Sequence, residues 1–148
     1  MPKMPEGAWR DFLTSQPRTG KLATTRADGS PHVTPIWFVL NSDGGTDELI
    51  FNTGMDSLKG KALRRDPRIS VVVDDERPPF AFVQFTAEAS LHGGEDELDD
   101  VRHWATKIGA RYMGAERGEE FGERNATPEE YLVRAKITKV LAIGGMAD

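Results

Sequence analysis

The four residues Ala27-Asp28-Gly29-Ser30 constrain this chain most, because the segments on either side, 21–26 and 32–40, both read as strands. Turn-forming residues between two such segments are a hairpin signal, so the first sheet strands are antiparallel. Further strands are expected over 48–53, 69–73, 80–92 and 131–143, with Leu49-Ile50-Phe51 and the β-branched Ile69-Ser70-Val71-Val72-Val73 as their clearest cores. Pro67, the pair Pro78-Pro79 and the pair Gly93-Gly94 separate these segments.

Helical patterns are fewer. Trp9, Phe12 and Leu13 lie at helical spacing, and a short helix is expected over 57–65. The longest runs over 96–113, where Leu98, Val101, Ala105, Ile108 and Tyr112 follow helical steps. Its acidic residues come early and its basic ones late, as the helix dipole favours. A further short helix is expected over 119–124, and Thr127-Pro128-Glu129-Glu130 reads as a capping box that starts another helical turn. Five or six largely consecutive strands with helices between or after them predict one α+β barrel domain over 1–148. A doubly wound parallel sheet would need strands and helices to alternate throughout.

Composition removes several kinds of chemistry. The chain has no cysteine, so disulfides, thiolate catalysis and cysteine-ligated metal are excluded. His32, His92 and His103 are far apart and show no metal-ligand spacing, so no metal site is expected. No apolar run reaches the roughly 20 residues of a membrane span, and the first residues lack the apolar stretch of an export signal. A cytoplasmic protein is the expectation. A net charge of −5 argues against general nucleic-acid binding. Against that acidic background Lys59, Lys61, Arg64, Arg65 and Arg68 crowd one segment, which suggests a local anion site.

That segment follows Phe51-Asn52-Thr53-Gly54-Met55-Asp56-Ser57, a strand that turns into the start of a helix. Asp56 or Ser57 can cap the helix. Free N–H groups at its start, the hydroxyls of Thr53 and Ser57 and the ammonium groups of Lys59 and Lys61 form a candidate phosphate cradle. It is not a Walker loop, because the Gly-Lys-Ser/Thr ending is missing. Pro35-Ile36-Trp37, in the expected strand just before, supplies an apolar wall with a flat aromatic face. An apolar slot beside an anion anchor suits a tricyclic redox cofactor with a phosphate tail.

The stretch from Gly20 to Phe38, together with Phe51-Asn52-Thr53, Ser57-Leu58-Lys59-Gly60-Lys61, Arg64-Arg65-Asp66-Pro67-Arg68, Asp74 to Val83, Trp104-Ala105-Thr106 and Arg111-Tyr112-Met113-Gly114, resembles the pyridoxamine 5′-phosphate oxidase-like family. Within it the chain is most similar to the actinobacterial branch that uses the deazaflavin coenzyme F420. The resemblance implies a six-stranded antiparallel split β-barrel with flanking helices, paired as a homodimer with cofactor clefts at the subunit interface. It further implies that Thr53, Ser57, Lys59 and Lys61 face the cofactor phosphate and that Pro35, Ile36 and Trp37 border its ring. Arg77, Pro78, Pro79 and Phe80 are cleft candidates contributed across the interface. The implied activity is hydride transfer from reduced F420 to a small conjugated or quinone-like acceptor. FMN in the same fold and a non-catalytic F420 carrier are the alternatives. No catalytic acid, base or nucleophile is assigned, although Tyr112 or water could supply a proton.

Overall fold

A computed structural model describes residues 1–148. In chain order the elements are α1 (Ala8–Ser15), β1 (Gly20–Thr25), β2 (Pro31–Ile36), β3 (Val39–Asn41), β4 (Glu48–Gly54), α2 (Leu58–Arg65), β5 (Arg68–Asp75), β6 (Ala81–Gly93), α3 (Leu98–Met113), α4 (Gly118–Asn125) and β7 (Glu130–Ile143). The expected elements are present with boundaries shifted by a residue or two, except that the strand expected over 32–40 is divided and no helical turn starts at Thr127. The 27–30 turn closes the first hairpin, with Thr25 opposite Pro31. Gly29 takes φ +87, and Asp28 Oδ1 accepts hydrogen bonds from the Ser30 backbone and hydroxyl.

The strand expected over 32–40 is divided, and that division corrects the strand count from six to seven. Phe38 is fully buried, and its N–H donates to the Tyr112 hydroxyl rather than to a neighbouring strand (3.2 Å). The backbone therefore leaves the sheet at Trp37-Phe38 and re-enters it as β3. All pairings are antiparallel, in the order β2-β1-β5-β6-β7-β4-β3. The two edge strands are thus β2 and β3, joined through only two residues. A link that short spans on the order of 10 Å, so the sheet has to curl until its edges nearly meet. The result is a barrel split at Trp37-Phe38.

Alternation fills the interior. Val83, Phe85 and Ala87 point in while Gln84, Thr86 and Glu88 point out, and Ile69, Val71 and Val73 repeat the pattern on β5. These side chains join Leu22, Phe38, Phe51 and Val133 in one core, with Leu13 of α1 and Leu63 of α2 among them. Trp9 meets Phe85 edge-on at 5.5 Å. Leu49-Ile50-Phe51 is apolar without a break because both faces of β4 are covered. Leu49 and Phe51 face the barrel, whereas Ile50 joins Val101 of α3 and Leu132 of β7 on the outside.

A second correction concerns Thr127-Pro128-Glu129-Glu130. It forms a turn in which the Glu130 N–H donates to the Thr127 carbonyl, not a capped helix. Glu130 is already paired opposite Gly54 at the start of β7, so sheet pairing overrides the local helix-start pattern.

Gly60 is required by a close approach. A Cβ there would overlap the Gly54 carbonyl oxygen and lie 2.7 Å from the Met55 carbonyl oxygen, seating α2 against the end of β4. Gly60→Ala is expected to destabilise the fold by about 1–3 kcal/mol through overpacking. Helix propensity alone would predict a gain of ~1 kcal/mol. Urea unfolding decides the sign.

Candidate functional site

At the junction of β4 and α2, Ser57 is the cap. Its Oγ accepts the Gly60 N–H at 3.0 Å and lies 2.7 Å from the Gly54 carbonyl oxygen and 2.9 Å from Thr53 Oγ1. A hydroxyl has one proton, so when Ser57 donates to Gly54, Thr53 donates to Ser57. The two hydroxyls are wired together to hold the turn. Leu58 and Lys59 open the helix, so their N–H groups have no intrahelical acceptor and remain available to an anion.

A cavity of about 230 Å³ lies beside this helix start, at the split in the barrel. Pro35 and Ile36 from the end of β2, Trp37 from the link and Ile108 from α3 form its apolar wall. Asn52 from β4, Lys59 from α2, Asn125 from the end of α4 and Glu130 from β7 form its polar side. Asn52 Nδ2 is buried without a hydrogen-bond partner. Trp37 is 37% exposed, with one face stacked on Tyr112 (5.0 Å, 8°) and Phe121 edge-on at 5.5 Å. Its indole is therefore braced from behind.

Four expected site residues, Pro35, Ile36, Trp37 and Lys59, meet in this one cavity; Thr53 and Ser57 do not line it, since Thr53 is buried and both hydroxyls are used in the turn that leads into α2. Lys61 does not join them. Residues two apart on a helix point to different sides, and Lys61 is exposed. Arg68 is paired with Asp66 at 2.8 Å, and Arg64 donates to the Met55 carbonyl and the Tyr131 hydroxyl. The basic cluster is thus dispersed, and Lys59 is the cation that lines the cavity.

Arg77, Pro78, Pro79 and Phe80 stand apart from this cavity within the chain. Arg77 is paired with Asp75 at 3.1 Å, which holds the Asp75 carboxyl down at about 2. Phe80 adopts φ +63, uncommon for a bulky residue, and is 40% exposed beside Phe82 and Met146 in a separate groove of about 390 Å³. A larger groove of about 630 Å³ between α3 and α4 is lined by Asp99, Arg102, His103 and other polar residues. It lacks the apolar wall that a planar ring needs.

Two titratable groups border the cavity region. Burial raises the Tyr112 hydroxyl above its ordinary value. That hydroxyl donates to the Arg18 carbonyl at 2.8 Å while accepting from Phe38, so it is a structural brace and not a free proton donor. Glu130 was hidden in the sequence by its capping-box context. Burial raises its carboxyl above the ordinary 4.5, with the positive charge of Lys59 pulling the other way.

The raised value means that the folded state holds this proton more tightly than the unfolded chain does. Glu130 therefore contributes stability that is fully present below 4.5 and is lost as pH rises through its elevated folded-state value. Glu130→Gln is uncharged throughout. It is expected to melt above the parent at pH 7.5, with the difference closing toward pH 4. A parent that melts higher at pH 7.5, or a difference independent of pH, contradicts this.

The family model described as pyridoxamine 5′-phosphate oxidase matches residues 5–143. A 5a,11a-dehydrotetracycline/5a,11a-dehydrooxytetracycline reductase from Streptomyces rimosus is 35% identical over 86 residues, 52% of this chain. The match spans 58% of that relative's length. Among solved structures, a conserved hypothetical protein from Mycobacterium tuberculosis superposes with a TM-score of 0.77 at 28% identity, covering 97% of this chain and 87% of that one. A protein described as an F420 reductase superposes with a TM-score of 0.67, covering 93% and 98%. At 21% identity, that likeness speaks to fold alone. A split antiparallel barrel with a capped helix start at its seam, and a family match across nearly its whole length, together place the chain in the pyridoxamine 5′-phosphate oxidase family.

Proposed function

We propose that this protein is an oxidoreductase that binds reduced coenzyme F420 at the barrel seam and reduces a small conjugated or quinone-like acceptor. The observation that carries this reading is the convergence of the Pro35-Ile36-Trp37 wall with the open N–H groups of α2 and the Lys59 ammonium around one cavity. The donor set fits an acceptor-rich anionic tail. Leu58 and Lys59 offer N–H groups, Asn52 offers an amide with no partner, and Lys59 offers a charge.

When bound, the deazaflavin ring supplies the hydride. The chain's own residues bind and orient. Thr53 and Ser57 keep the helix start in shape, Lys59 and the adjacent N–H groups hold the tail, and the wall of Pro35, Ile36 and Trp37 keeps water from the ring. Trp37 keeps its place because Tyr112 and Phe121 pack against it. No side chain is assigned as acid, base or nucleophile, since positioning of donor and acceptor is the contribution asked of the protein.

About 230 Å³ is less than the roughly 300–1,000 Å³ of sites that bury a whole ligand. A second copy of the chain would complete the cleft, and the exposed Arg77-Pro78-Pro79-Phe80 turn is the segment proposed to cover the ring from the partner. The reductase relative supports the redox reading, and FMN is the competing cofactor.

Lys59→Ala is expected to weaken F420 binding by about 1.5–3 kcal/mol, the scale of a hydrogen bond to a charged group. Fluorescence titration measures it, and unchanged affinity removes Lys59 from the site. Parallel titrations of cofactor-free protein should show tighter binding of F420 than of FMN, and the reverse order would assign a flavin. Sedimentation should give a dimer, and a monomer that binds cofactor fully would overturn the shared cleft. Steady-state oxidation of reduced F420 across quinones and enones separates an enzyme from a carrier, for which tight binding would come without turnover.

A further inference from the structure

Glu130 is the member of the cavity that does not suit an anion site. It brings a carboxyl to the same small space as Lys59, opposite Gly54 at the end of the cradle strand. Of the groups that face this space, Lys59 of α2 is the only other one that carries charge. β4 contributes Asn52, the end of α4 contributes Asn125, and Pro35, Ile36, Trp37 and Ile108 are apolar. Lys59 is also the charged group that acts on the Glu130 carboxyl. The lining therefore offers one positive and one negative side chain, together with helix-start N–H groups.

We infer that Glu130 is a charge filter that makes the cradle favour a singly charged phosphodiester over a doubly charged phosphomonoester. The inference rests on the cofactor reading above and deepens it by naming the tail chemistry that the site selects. A phosphodiester carries one negative charge at neutral pH, whereas a phosphomonoester, with a second pKa of about 6, carries nearly two. Repulsion by a fixed carboxylate scales with the charge that enters, so its effect on the binding constant for a dianion is the square of that for a monoanion. Lys59 and the open N–H groups attract both tails. Glu130 subtracts more from the dianion. Burial of Glu130 limits the screening of that repulsion by solvent and salt. F420 has a phosphodiester at this point of its tail and FMN has a phosphomonoester, so the filter leans toward the deazaflavin.

The test titrates F420 and FMN separately into the parent and into Glu130→Gln at pH 7.5, with each ligand as its own reference. Glu130→Gln should tighten F420 by about threefold and FMN by about tenfold, the squared relation expected for one and two charges. Glu130→Asp keeps the charge and should keep the parent's ratio of affinities, which a purely structural role for Glu130 would not require. Equal gains for the two ligands, no gain, or weaker binding by Glu130→Gln overturns the filter. Lys59→Ala, measured alongside, separates this from failure of the site itself. If it weakens both ligands, the cradle stands and only the role of Glu130 falls. If neither ligand binds saturably, or Lys59→Ala changes neither affinity, the cofactor reading is overturned and the filter with it.

Discussion

Two hydrogen bonds at Tyr112 govern where this barrel opens. The hydroxyl accepts the Phe38 N–H and donates to the Arg18 carbonyl, tying the C-terminal end of α3 to the segment before β1 and to the link between β2 and β3. With its N–H satisfied outside the sheet, Phe38 can leave the ladder and bury its ring in the core without leaving that N–H unpaired. Trp37 is then turned outward and stacked on the same tyrosine. The seam, the aromatic wall and the packing of α3 against the barrel thus share one polar anchor. Arg111 reinforces it by donating to the Leu13 and Gln16 carbonyls and lying 4.9 Å from the Phe38 ring.

The proposed anion end of the site depends on a different economy of hydrogen bonds. Ser57 donates its hydroxyl proton to the Gly54 carbonyl and Thr53 donates its own to Ser57, which leaves the peptide N–H groups at the helix start as the donors without a partner. Gly60 allows α2 to sit directly on the carbonyl oxygens at the end of β4. Rigid backbone donors lose less entropy on meeting a ligand than flexible side chains do, so such a helix start is preorganised. Lys59 adds charge to that arrangement and Glu130 removes some of it. The net field at the cradle is accordingly milder than the run of basic residues in this segment suggests.

Neighbours close in sequence explain the features that could be read without a structure. The first hairpin follows from Asp28 and Gly29, the start of α2 from the Ser57 cap, and α3 from the helical spacing of Val101, Ala105 and Ile108. β5 and β6 follow from alternation and from their proline and glycine boundaries. The convergence of Pro35, Ile36, Trp37 and Lys59 was also legible, because an apolar strand segment and a strand-to-helix turn with basic residues are each local patterns.

Contacts between residues distant in the chain settled the rest. The break between β2 and β3 requires Tyr112, whose partner Phe38 lies far away in sequence, so no local pattern announces it. Pairing of Gly54 with Glu130 turns a segment with a helix-start signature into the first residue of a strand and delivers a carboxyl to the cradle. Helix geometry separates Lys59 from Lys61, and ion pairing ties Arg68 to Asp66, so charge counted along the chain overstates charge gathered in space. Local sequence sets which elements form because backbone propensity and capping act within a few residues. Which side chains share a cavity is set by strand register and packing, where contacts across the whole chain outweigh any one segment's preference.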